Sequence, residues 1–168
     1  RATGTMSSVG GGNQNDATGN FSHIGGGENN DAAPHYTLVG GGEGNTASNV
    51  FASAVGGNDN TASGRLAFVG GGFSNDATDT ATAISGGYSN LASGKFAGIA
   101  GGQDNTASGH WSVVSGGDSN RALDSFAVVA GGQKNLSFSD YSFIGGGRGN
   151  HVATDYASIS GGSNNIAS

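Results

Sequence analysis

Glycine pairs begin at Gly11, Gly26, Gly41, Gly56, Gly71, Gly86, Gly101, Gly116, Gly131, Gly146 and Gly161, and every step is fifteen residues. The eleven repeats follow one another without an insertion or a deletion. A fixed period with no slack is the mark of like units stacked on one another. Three residues after each pair stands an asparagine: Asn15, Asn30, Asn45, Asn60, Asn75, Asn90, Asn105, Asn120, Asn135, Asn150 and Asn165. Two residues further comes alanine in nine repeats, from Ala17 to Ala167, with Ser137 and Val152 in the other two. Two residues before each pair runs an aliphatic row: Val9, Ile24, Val39, Ala54, Val69, Ile84, Ile99, Val114, Val129, Ile144 and Ile159. A small residue such as Ser22, Thr37 or Ala52 precedes it by two positions. One position earlier is a bulky row: Met6, Phe21, Tyr36, Phe51, Leu66, Ala81, Phe96, Trp111, Phe126, Tyr141 and Tyr156.

A spacing of two between buried positions is strand periodicity. Fifteen residues are too few for a helix pair or a propeller blade, but they hold two short strands and two tight turns. Residues 21–25 and 30–33 read as the strands of one coil. The glycine pair reads as one turn, with positive φ. A second turn follows the alanine position, at Gly19, Pro34, Gly64, Gly94 or Gly109. Coils stacked at the strand spacing of ~4.8 Å make a β-solenoid about 50 Å long. Equivalent residues then form ladders, and stacked asparagine amides hydrogen-bond along the axis. The 35 glycines and the 11% of charged residues also suit a flexible linker. Disorder, however, goes with high charge and few aromatic or β-branched residues. Here aromatics reach 8% and valine or isoleucine recurs at even intervals, so the expectation is order.

Alternation divides the first strand into two faces. Ile24, Val39, Val69, Ile84, Ile99, Val114, Val129 and Ile144 are the expected coil core, beside the small row and the alanine row. The bulky row points outward with a second row that includes Ser8, His23, Leu38, Phe68 and Phe143. A continuous apolar stripe of this length is unusual on a monomer, and the inner core is thin. The expectation is a homotrimer of parallel chains, packed through Phe21, Tyr36, Phe51, Leu66, Phe96, Trp111, Phe126, Tyr141 and Tyr156.

Two stretches, "NTASGHW" at Asn105–Trp111 and "SFIGG" at Ser142–Gly146, carry a resemblance that extends over essentially the whole chain. The repeat resembles the YadA-like head of trimeric autotransporter adhesins. The resemblance implies an all-β, left-handed parallel β-roll, here of about eleven 15-residue coils, assembled as a homotrimer. It implies display from a Gram-negative outer membrane, on a coiled-coil stalk with a β-barrel anchor. It also implies attachment to host cells or extracellular-matrix proteins. Many heads of that family carry a shorter repeat with Ala-Ile-Gly, whereas this chain has an extra glycine. No heptads, neck or anchor stand within it. Similar repeats occur in trimeric phage or virion tail fibres, which makes a fibre segment the alternative.

Other readings are weaker. The net charge of −6 argues against nucleic acid and against contact with an anionic membrane. Without cysteine there is no disulfide and no thiolate metal site. No apolar run approaches the ~20 residues of a membrane helix, and no signal peptide is visible. Residues 1–168 read as a single repeat domain, expected to be a piece of a longer chain. Phosphate-binding glycine loops require a lysine and a helix start, whereas the glycine turn here recurs eleven times with no helix after it. Calcium-binding β-rolls use a nine-residue repeat. No catalytic triad or carboxylate pair stands out, so a non-enzyme without cofactor is expected. His35 and His110 share a row but lie five coils apart, about 24 Å. His23 lies in the second outward row, where a trimer would bring three copies to the axis as a possible ion site. An ice-binding solenoid is the second alternative, from Thr46, Thr61 and Thr106. Asp16, Asp31, Asp76, Leu91, Arg121 and His151 break that row. Receptor contact is expected at variable outward positions such as Arg65, Lys95, Arg121, Lys134 and Arg148.

Overall fold

Fifteen residues carry the backbone once around a common axis, and each coil meets the next in register. The computed structural model describes residues 1–168. Eleven strands, from Ser8–Val9 to Ser158–Ile159, form one parallel sheet, and eleven, from Asp16–Ala17 to Ile166–Ala167, form a second. Partners lie one period apart, as in Ile24 with Val39 and Ala17 with Ala32. The chain is therefore an all-β parallel solenoid of about eleven turns, with no helix.

Two features differ from the sequence expectation. Each strand is two residues long, as in His23–Ile24 and Asp31–Ala32, and does not span 21–25 or 30–33. A third side also exists, made of single β-bridges from Asn13 and Glu28 up to Arg148 and Ser163. Backbone dihedrals explain both. Three rows per coil take left-handed φ: the second glycine of each pair at 89–107°, the Gln14 row at 51–67°, and the bulky row at 54–63°. Each such residue turns the chain out of the extended region, so no strand grows beyond two residues. One extended residue remains between Gly12 and Gln14, and it makes the bridge.

Short strands do not mean sparse pairing. Of 104 backbone hydrogen bonds only 20 fall inside strands, so the turns carry most of the coil-to-coil contact. At most positions an N–H donates forward, as His23 N does to Thr37 O and Asn13 N to Gly27 O. At the Gln14 and bulky rows the peptide is flipped and the N–H donates backward. Phe21 N reaches Thr5 O at 2.9 Å, and Asn29 N reaches Asn13 O at 3.0 Å. The flip keeps these donors satisfied, which burial between coils requires.

The interior is one residue wide. Ile24, Val39, Val69, Ile84, Ile99, Val114, Val129 and Ile144 are at most 2% exposed, packed on the alanine row. Each contributes about 1.5–3 kcal/mol by burial. Where Ser137 replaces alanine, its hydroxyl meets that of Ser142, which also donates to Ser139 O. A polar pair thus fits an apolar row because both hydroxyls find acceptors.

The two glycines of a pair are not equivalent. A Cβ on Gly102 would lie 2.2 Å from Gly117 O, at a φ of +89°. On Gly101 the nearest such atom is Gly86 O at 3.8 Å. Gly102→Ala is expected to lower stability by about 2 kcal/mol or more, and Gly101→Ala by less than about 1 kcal/mol. Urea unfolding of the two variants checks this contrast between adjacent residues.

Candidate binding surfaces

Asparagine is the buried polar row, and glycine chemistry explains its place. In each glycine pair the first carbonyl meets no backbone N–H, while the second already accepts from the bridge residue of the preceding coil, as Gly87 O does from Phe73 N. Asn75 Nδ2 donates to Gly71 O of its own turn at 3.0 Å and to Gly87 O of the next at 2.8 Å. It also reaches Asn60 Oδ1 at 3.0 Å. Asn75 Oδ1 in turn accepts from the Asn90 backbone N–H and from Asn90 Nδ2. The backbone N–H to Oδ1 bond recurs at all ten steps from Asn15 to Asn165. The amide-to-amide bond is absent at Asn45 and Asn120, which keep their glycine carbonyls. The row ties turn to turn and leaves no polar group over for a ligand.

The bulky row occupies the corner after the second sheet. Gly19 to Ser22 form its turn, closed by Ser22 N to Gly19 O at 3.2 Å. The third residue is Phe21, at a φ of 58°. Left-handed φ at such a position normally selects glycine or asparagine. Phe21, Tyr36 and Phe51 stack with centroids 5.0–5.1 Å apart. Phe96, Trp111, Phe126, Tyr141 and Tyr156 continue the row at 4.7–5.1 Å, after a break at Leu66 and Ala81. From Phe21 to Tyr141 the large side chains stay 39–50% exposed, because ring faces meet their neighbours while edges look outward. Beside the break the second outward row shrinks to Ala83 and Gly98, leaving a shallow apolar notch of about 240 Å³ with Ile99 and Val113.

The histidines lie apart from one another. His23 Nδ1 shares a 2.7 Å hydrogen bond with Ser8 Oγ, and its ring is exposed. His35 Nδ1 accepts from the Asn20 backbone N–H at 3.0 Å, and so serves the turn of the preceding coil. No group of three histidine, aspartate or glutamate side chains has the spacing of a metal site.

Acidic side chains show the direct effect of stacking. Asp31 lies directly above Asp16 in the second sheet. Burial, and then the Asp16 charge, raise the Asp31 carboxyl above the ordinary range. Asp16 is held below it, chiefly by the Arg1 side chain at 2.9 Å. Asp118 is lowered by hydrogen bonds from Gln133 and Ser119, both 2.7 Å.

The third side carries a feature not singled out by sequence reasoning. Its row runs Asn13, Glu28, Glu43, Asn58, Phe73, Tyr88, Gln103, Asp118, Gln133, Arg148, Ser163. Phe73 and Tyr88 are the only apolar members, and they stack at 5.2 Å and 7°. Aligning the chain on its period, at the residue after each glycine pair, is enough to expose this pair. Arg65 and Lys95 stand at the bulky-row corner two coils apart, Arg121 in the second sheet, and Lys134 and Arg148 on adjacent coils at the third side.

No protein-family model matches the chain, and no curated protein matches it.

Two outcomes are expected from these contacts. Asn75→Ala strands the Asn90 N–H and the Gly71 carbonyl, while Gly87 O keeps its bond from Phe73 N, and should cost about 3 kcal/mol in denaturant unfolding. The Asp31 carboxyl is raised in the folded chain, so the folded state holds its proton more tightly than the unfolded state. Its contribution is therefore favourable in acid and lost as pH climbs through the carboxylate range. Asp31→Asn should leave stability unchanged near pH 3 and raise it at pH 7 by less than about 1 kcal/mol, the group being partly solvated. Paired unfolding curves at the two pH values test the sign.

Proposed function

We propose that this chain is the head of a trimeric surface adhesin. Three copies wind as left-handed β-rolls and pack their bulky rows around a shared axis. The head is displayed from a Gram-negative outer membrane and attaches to host cells or extracellular-matrix proteins. The observation that carries this reading is the bulky row itself. Nearly every coil holds a large apolar side chain in a left-handed backbone that costs about 1–2 kcal/mol per residue. It then leaves that side chain about half exposed. A residue chosen for folding alone would be glycine or asparagine here. Large rings at this place suit burial against another surface, and a second copy offers the same row at the same spacing. The repeat resembling adhesin heads supports the surface role, and the lack of convergent ionisable groups suits binding better than catalysis.

The tail-fibre reading shares the trimer and differs only in what the head is attached to. The ice-binding reading has less support. The outward row of the second sheet places Asp31, Asp76, Leu91 and Arg121 among Thr46, Thr61 and Thr106, so no flat threonine array forms.

Sedimentation is expected to give a stable species three times the 16.2 kDa chain mass. Trp111→Ser with Phe126→Ser should convert it to a monomer, and a folded monomer of the parent chain would sink the proposal. Attachment to immobilised matrix proteins and to cultured host cells tests the adhesive role directly.

A further inference from the structure

We infer that the Phe73–Tyr88 pair is the anchor of a receptor site on the third side, and that the receptor presents a cationic segment. The inference deepens the adhesive reading and rests on it. Both rings are well exposed, at 42% and 48%, and Leu91, three residues after Tyr88 on the adjoining second sheet, is 37% exposed. They stand in a row otherwise built of amides, carboxylates, Arg148 and Ser163. That row lies across the glycine turn from the first sheet, not at the corner of the bulky row. The packing proposed for a trimer therefore does not account for them. Aromatic side chains with a fixed stack lose little freedom on binding, and they dominate the energetics of interface centres.

Charge around the pair selects the partner. Asp59 follows Asn58, the bridge partner below Phe73, and Asp104 follows Gln103, the partner above Tyr88. Asp76 is the direct neighbour of Leu91 in the second sheet. The only ion pair in the chain joins Arg1 to Asp16, so all three carboxylates lack a cation. The first cation in either flanking row is Arg121, two coils beyond Leu91. An apolar pair bordered by carboxylates fits arginine or lysine, whose stems lie on the rings while their charges meet the acids. The same field repels an anionic glycan or a lipid headgroup.

Titration of the whole chain with octa-arginine tests this. Phe73→Asn with Tyr88→Gln installs the side chains that the row carries in other coils, so the fold is retained and circular dichroism verifies it. The variant is expected to bind octa-arginine about tenfold more weakly than the parent. Asp59→Asn, Asp76→Asn and Asp104→Asn together should weaken it comparably. Asp124→Asn, Asp140→Asn and Asp155→Asn make the same charge change on another corner and should alter binding less than about twofold. Equal binding by the parent and the Phe73/Tyr88 variant overturns the inference, as does an equal loss from the two aspartate triples. Host-cell attachment separates the two readings. Attachment that survives Phe73→Asn with Tyr88→Gln removes this site and leaves the adhesive reading standing. A parent chain that attaches to nothing removes the adhesive reading, and the peptide titration still decides the chemistry of the face.

Discussion

Each coil must find its hydrogen-bond partners in the coil above or below, because it has almost none within itself. Fifteen residues in three short sides make no helix and no hairpin. Nearly every backbone donor points along the axis, forward at most positions and backward at the two flipped rows. A coil with one residue more or fewer would throw all of these donors out of step with both neighbours. The unbroken period in the sequence is the direct record of that requirement. Asparagine belongs to the same constraint. At the second glycine of each pair the turns approach so closely that no side chain fits between them, and the first glycine's carbonyl would be stranded without the asparagine amide.

The bulky row is where the local and the long-range demands conflict. Its backbone is left-handed, which an aromatic residue resists. Stacking with the ring one coil away offsets part of that cost, and a centroid spacing near 5 Å is what the coil spacing imposes. Stacking uses the ring faces and leaves the edges free. The row is thus an apolar ribbon of edges, suited to close packing against another apolar surface. It is less suited to sugars, which would lie on ring faces already taken.

The period, the parallel stack and the coil interior were legible in the sequence because they depend on residue type at a fixed position. Ile24 and Ala17 could only be buried, and Asn15 recurs where a corner needs a compact amide. Strand length was not legible. It depends on left-handed residues at Gln14 and Phe21, and neither side chain advertises positive φ. The third side was missed for the opposite reason, since its row holds amides, acids, aromatics and an arginine with no common chemistry. What the residues share there is only a backbone position. The Phe73–Tyr88 stack becomes visible as a departure once that position is known.

The notch beside Ala83 and Gly98, with the break in the ring row at Leu66 and Ala81, has a geometric consequence. A rod that repeats every ~4.8 Å looks unchanged to its neighbour after a slide of one layer. Nothing in its periodic contacts tells the correct alignment from one displaced up or down. The break ends that translational degeneracy. If copies pack through this row as proposed, only one alignment sets the small layers opposite one another, and every other sets a large ring against a gap. In a molecule assembled by repetition, the one stretch that departs from the pattern acts as the origin from which height along the rod is measured.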